Sequence, residues 1–149
     1  MGSSKHVFEI VHTPDSMEFV FSSTFENIDD ACEKALDYLS SRIANIKPML
    51  FSINLVIREG LTNAVRHGNG NDPEKLVHFF VNIVEDRLIQ LVIKDEGKGF
   101  DWRRQKLARL PDDAEHGRGI SIIGTYFNDY YYNDAGNILY LEKDISPLS

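Results

Sequence analysis

The chain has 149 residues, 42% apolar and 26% charged, which suits one domain with its own core, is too short for two ordinary domains, and argues against disorder. With 23 acidic against 16 basic residues the formal charge is -7, which argues against nucleic acid and anionic membranes as partners, so any bound polyphosphate must be held by backbone amides and a divalent cation. The single cysteine, Cys32, excludes an internal disulfide, and neither a membrane-length apolar run nor a signal-peptide pattern is present, so the expected setting is the cytoplasm, with the chain folding alone or as a homodimer.

The segments His6–His12 and Met17–Ser23 read as two short strands around a turn at Pro14-Asp15, an N-terminal hairpin. From Asn27, a potential cap, Ile28, Ala31, Cys32, Ala35, Leu36 and Leu39 recur at helical spacing, predicting a helix to about Arg42 with Cys32 as a small core residue. A second helix begins soon after Pro48, with Leu50, Ile53, Ile57, Leu61 and Ala64 as its apolar stripe. It ends at "HGNGND", where Gly68 and Gly70 are expected as left-handed caps before Asp72-Pro73. Glu59 and Asn63 share one flank of that stripe and border the core, an odd place for groups whose only role is solvation. "LVHFFVNIV" and "RLIQLVIKD", separated by Glu85-Asp86, predict an antiparallel pair. The polar stretch Asp101–Gly119 predicts a lid loop, "GISIIGTYF" a helix, and "DYYYN" and "NILYLEKD" a closing hairpin turning near Ala135-Gly136. The aromatics from Tyr126 to Tyr132 suit either strand core or an interface.

Three short motifs stand in order along these elements. They are Glu59-x-x-x-Asn63 on a helix, Asp95-x-Gly97-x-Gly99 at a strand end, and Gly117-Arg118-Gly119 opening a helix after the polar loop. Alone, each has an ordinary structural explanation, since glycines serve turns and a carboxylate beside an amide serves a solvated helix. Together they resemble, over about Phe51 to Asp144, the ATP-binding domain of the superfamily that includes DNA gyrase B, the heat-shock 90 chaperones, sensor histidine kinases and the MutL repair proteins. "EGLTNAVRHGN" is most similar to the corresponding box of the anti-sigma-factor serine/threonine kinases, bacterial regulators that phosphorylate STAS-domain antagonists.

The resemblance implies a two-layer α/β sandwich of the Bergerat type, with a mixed, largely antiparallel sheet and helices on one face, built from residues 1–149 as a single domain. It implies ATP and Mg²⁺ as cofactors. Asp95 offers acceptors without a donor and suits the exocyclic amine of adenine, while Gly97 and Gly99 let backbone pass close to the purine. Asn63 suits Mg²⁺, and Gly117 and Gly119 free helix N-terminal amides for the phosphates. Arg118 is a candidate γ-phosphate contact. His67 suits either the phosphates or the helix dipole. Glu59, one turn before Asn63, is expected as general base toward a serine hydroxyl or a water. The implied function is a protein kinase acting on a STAS-type anti-anti-sigma protein, with a sigma factor as a second partner. Rival readings are a nucleotide-sensing binding switch and an ATPase without protein kinase activity.

Overall fold

The computed structural model describes residues 7–97 and 129–145. Their strands are β1 (Phe8–Thr13), β2 (Ser16–Ser22), β3 (Leu76–Val84), β4 (Leu88–Lys94), β5 (Asp129–Tyr132) and β6 (Ile138–Asp144), with helices α1 (Phe25–Arg42) and α2 (Leu50–Asn63) between β2 and β3. The six strands form one sheet in the order β1-β2-β3-β4-β6-β5. Every pairing is antiparallel, so the parallel component expected from the sequence does not occur among the described residues.

Period-two alternation decides which face is buried. Phe19, Phe79, Ile93 and Leu139 are register partners across β2, β3, β4 and β6, and all four are buried. The next row, Met17, Val81, Leu91 and Leu141, lies on the same face and is buried too. Both helices pack here, α1 against β2 and α2 across β4 and β6. Gly60 permits that crossing, since a Cβ there would lie 2.6 Å from Ile93 Cδ1 and 3.5 Å from Leu139 Cδ2. The opposite face carries Glu18, Phe80, Val92, Tyr140 and Tyr131 in register, with the Tyr131 and Tyr140 rings stacked at 4.8 Å.

Two local expectations are corrected. Asn27 does not cap α1: Thr24 does, accepting from Asn27 N–H at 3.2 Å, and the buried Asn27 carboxamide instead donates to Val7 O and Ser22 O. Of the two glycines expected as left-handed caps, only Gly70 has positive φ, followed by Asn71. Gly68 closes a π-helical turn, Ala64–Gly68, in which the chain of α2 widens and Asn69 N–H reaches Ala64 O. The predicted turns at Glu85-Asp86 and near Ala135-Gly136 are both present. Cys32 is buried in the core, and that burial pushes its thiol up to about 11, which suits packing and not reactivity.

Candidate active site at the junction of α2 and the end of β4

The central strand β4 ends at Lys94, and Asp95 follows, its amide donating to Asn137 O at 3.0 Å beside the start of β6. It continues the alternation of Leu91 and Ile93 and so points toward the helices. Asp95 is 8% exposed. Burial pushes this group up to about 6, against the opposing pull of the Gly97 amide and of Lys75. Gly97 N–H donates to Asp95 Oδ1 at 2.8 Å.

Two glycines let this turn meet the end of α2. A Cβ at Gly68 would lie 2.3 Å from the Asp95 carboxyl, and a Cβ at Gly97 would lie 1.9 Å from Gly68 O. A side chain at Gly97 would thus be obstructed by the chain's own backbone at the end of α2. Asn69 lies next to this contact, 2% exposed. Its Nδ2 donates to Ser23 Oγ at 2.8 Å and Leu76 O at 3.0 Å, and its Oδ1 accepts from Glu96 N–H at 2.7 Å.

Glu59 and Asn63 lie one turn apart on α2, both half-buried at the border of a stripe formed by Ile53, Val56, Ile57, Gly60 and Leu61. Preceding them, Arg58 pairs with Asp29 of α1 at 2.6 Å. Tyr132 lies on the strand side of the same region. It is 8% exposed on β5, paired with Leu139 and hence on the helix side of the sheet. Burial raises its phenol above the ordinary value, and the charges of Asp95 and Glu59 add to that rise. The buried hydroxyl thus lies within the field of both groups. His67 is exposed, in the widened turn Ala64–Gly68 that follows Asn63. Gly99, Gly117, Arg118 and Gly119, with the expected lid and the helix after it, lie outside the described residues.

Asp95, Gly97, Glu59 and Asn63 are thus gathered at one helix–sheet junction. Gly68, Asn69 and Tyr132 belong to it as well and are not singled out by the motifs. Asn69 reads in sequence as part of a glycine-rich turn, with partners 46 and 27 residues away. Tyr132 carries a weak signal, being two positions from Tyr130 in an alternating strand. Chemically, the junction offers a desolvated acceptor at one end and a carboxylate with a neutral amide oxygen on the adjoining helix.

Residues 21–143 match the family described as Histidine kinase-like ATPase domain. Among curated relatives, an anti-sigma F factor from Geobacillus thermodenitrificans (strain NG80-2) is 30% identical over 139 residues, 89% of this chain and 94% of that protein. One from Geobacillus sp. (strain WCH70) is 32% identical over 104 residues, 65% and 70% of the two chains. A solved histidine kinase domain from the Erythrobacter litoralis EL346 blue-light activated histidine kinase is 16% identical with a TM-score of 0.48, covering 66% of this chain, which spans 46% of that one. The family match takes in Glu59, Asn63 and Asp95 and every strand from β3 onward up to Lys143, and the chain belongs to the histidine kinase-like ATPase domain family.

Proposed function

We propose that this chain is an ATP- and Mg²⁺-dependent serine/threonine protein kinase of the anti-sigma-factor type, a single ATP-binding domain acting in the cytoplasm on a STAS-domain anti-anti-sigma protein and binding a sigma factor as a second partner. The observation that carries the reading is the shared junction. The end of α2, which carries Glu59 and Asn63, runs into a turn that meets Asp95 so closely that a Cβ at Gly68 would lie 2.3 Å from its carboxyl, which supports reading a base-recognising end and a chemical end as parts of one site. The name shared by the relatives, anti-sigma F factor, supports the choice of partners.

The donor set suits the cofactors. Asp95 presents carboxylate oxygens in a desolvated place, suited to the amine of adenine and mismatched to the carbonyl that guanine has there. Asn63 contributes a neutral oxygen, compatible with a Mg²⁺ that keeps several waters and phosphate oxygens as its other ligands. When bound, the metal neutralises charge on the transferring phosphoryl group. Glu59, one turn earlier, accepts the proton of the attacking serine hydroxyl, and its half-buried position keeps it from full solvation. Gly117, Gly119 and Arg118 complete the phosphate side, with Gly99 beginning the lid.

Incubation with labelled ATP and a candidate STAS protein from the source cell tests this. Wild-type chain is expected to give a phosphoserine or phosphothreonine on the partner. Glu59→Gln keeps size and hydrogen bonding but loses the proton acceptor, so transfer is expected to fall by about 10²–10⁴-fold with nucleotide binding preserved. ATP turnover without transfer to any STAS protein replaces the kinase by an ATPase. Nucleotide-dependent binding of a partner with no chemistry replaces it by a switch.

A further inference from the structure

We infer that Asn69 is a positioning residue for nucleotide-base recognition: its carboxamide holds the Asp95–Gly97 turn against the end of α2 and so fixes the depth and aim of the Asp95 carboxylate. The inference rests on the ATP-binding reading of the site and adds to it a residue that itself touches no ligand.

Three segments meet on this one side chain. Ser23 belongs to the link between β2 and α1, Leu76 begins β3, and Glu96 follows the end of β4. A carboxamide is the group that can serve all three without charge, since it has two donor hydrogens and an acceptor oxygen. An aspartate at 69 lacks the donors, and a leucine lacks both functions. The direction of the bonds matters as much as their number. The two donations fasten Asn69 to the scaffold, and the free end of that fastening, Oδ1, accepts the one amide between Asp95 and Gly97.

The consecutive amides of the turn are thereby divided, Glu96 N–H to Asn69 and Gly97 N–H to Asp95 itself. Gly68 packs against the Asp95 carboxyl so closely that a Cβ could not be inserted. The carboxylate is confined by packing from beneath, by its own turn from one side, and by Asn69 through the backbone. Releasing Glu96 N–H leaves a turn that can open toward solvent, and the carboxylate goes with it. Loss is then felt at the base and not at the phosphates, which the opposite end of the site receives.

The test is calorimetry on the full chain and on Asn69→Ala, with ATP, adenosine and inorganic tripolyphosphate as ligands, at a temperature where circular dichroism shows each protein folded. Asn69→Ala is expected to weaken ATP and adenosine about tenfold or more while tripolyphosphate binds as in wild type. Asn69→Ser, too short to reach Glu96 but able to keep a local hydrogen bond, is expected to show the same split and serves if Asn69→Ala does not fold. Ser23→Ala removes one of the two bonds that anchor Asn69, together with the bond that Ser23 Oγ donates to Lys75 O, but leaves the bond from Glu96 N–H to Asn69 in place, and is expected to lower the melting temperature without the adenosine loss. A folded Asn69 variant that binds adenosine as tightly as wild type overturns the inference, as does equal weakening of adenosine and tripolyphosphate. Failure of the wild-type chain to bind ATP overturns the nucleotide reading itself, a separate result.

Discussion

Asp95 sets two pH dependences of opposite sign. In the folded chain burial holds this carboxyl at about 6, against about 3.9 for an unfolded aspartate. Between those values the folded state keeps a proton that the unfolded state has lost. Its contribution to stability is therefore fully present below the unfolded value and is lost as pH rises through about 6. Recognition of an amine needs the ionised form, so ATP affinity is expected to rise over the same interval and to level off above it. Binding near pH 6 should then release a proton, which calorimetry in buffers of different ionisation enthalpy reads directly. Asp95→Asn places a donor opposite the donating amine and is expected to weaken adenosine by roughly 1–3 kcal/mol and to abolish the pH dependence. Equal affinity for ATP and GTP in the wild type, or an affinity flat between pH 5 and 7, rules out this role.

Between elements, close approach without side chains controls how α2 meets the sheet. At Gly60 an added Cβ meets the tip of Ile93, a flexible end that can turn aside, whereas at Gly97 it meets the carbonyl of Gly68, which is backbone. Gly60→Ala is accordingly expected to change stability little, the gain in helix propensity offsetting a small overpacking cost. Gly97→Ala must force the turn open, so urea unfolding should show a larger loss, about 1–3 kcal/mol or more, together with weakened ATP binding. Similar losses for the two variants would mean that Ile93 cannot move. This contrast also marks what the sequence makes legible. The strands are readable because one buried face imposes period two on Val77, Phe79, Val81 and Ile83, and α2 is readable because its stripe repeats at 3.6. Asp95 and Gly97 could be picked out because acceptor and glycine stand at a strand end. Thr24 rather than Asn27 capping α1, the widened turn at Ala64–Gly68 and the anchoring by Asn69 could not. The anchoring by Asn69, like the bond of Asn27 to Val7 O, joins segments far apart in sequence and leaves no local periodicity, while the Thr24 cap and the widened turn are local hydrogen-bond choices that periodicity does not resolve.

At the scale of the whole molecule, stability and the site draw on different residues. The core runs from Phe19, Phe21 and Phe79 through Leu39 and Ile57 to Leu141, all with essentially no exposure. Ion pairs among the described residues include Arg42 with Asp15 and Asp86, and Arg58 with Asp29, and their side chains are substantially exposed; pairs of this kind contribute about 0–1 kcal/mol. Arg42 does join the β1–β2 turn to α1, aided by Tyr38, whose hydroxyl donates to Thr13 O and Pro14 O, but the arrangement is wet. Leu39→Ala, which empties a buried position near the C-terminal end of α1, is expected to cost about 2–5 kcal/mol. Arg42→Ala is expected to cost about 1 kcal/mol or less. Because Leu39 lies on α1 at the opposite end from the Arg58–Asp29 contact, its loss leaves the junction of α2 and β4 unchanged. Nucleotide at about 100 times its dissociation constant adds roughly 2.7 kcal/mol to any folded form that binds it. That increment is expected to be the same in Leu39→Ala as in wild type and absent in a variant whose site is lost. Thermal melts with and without Mg²⁺-ATP measure both quantities. A smaller increment in folded Leu39→Ala than in wild type would show that the helical core and the nucleotide site are energetically coupled, contrary to this separation.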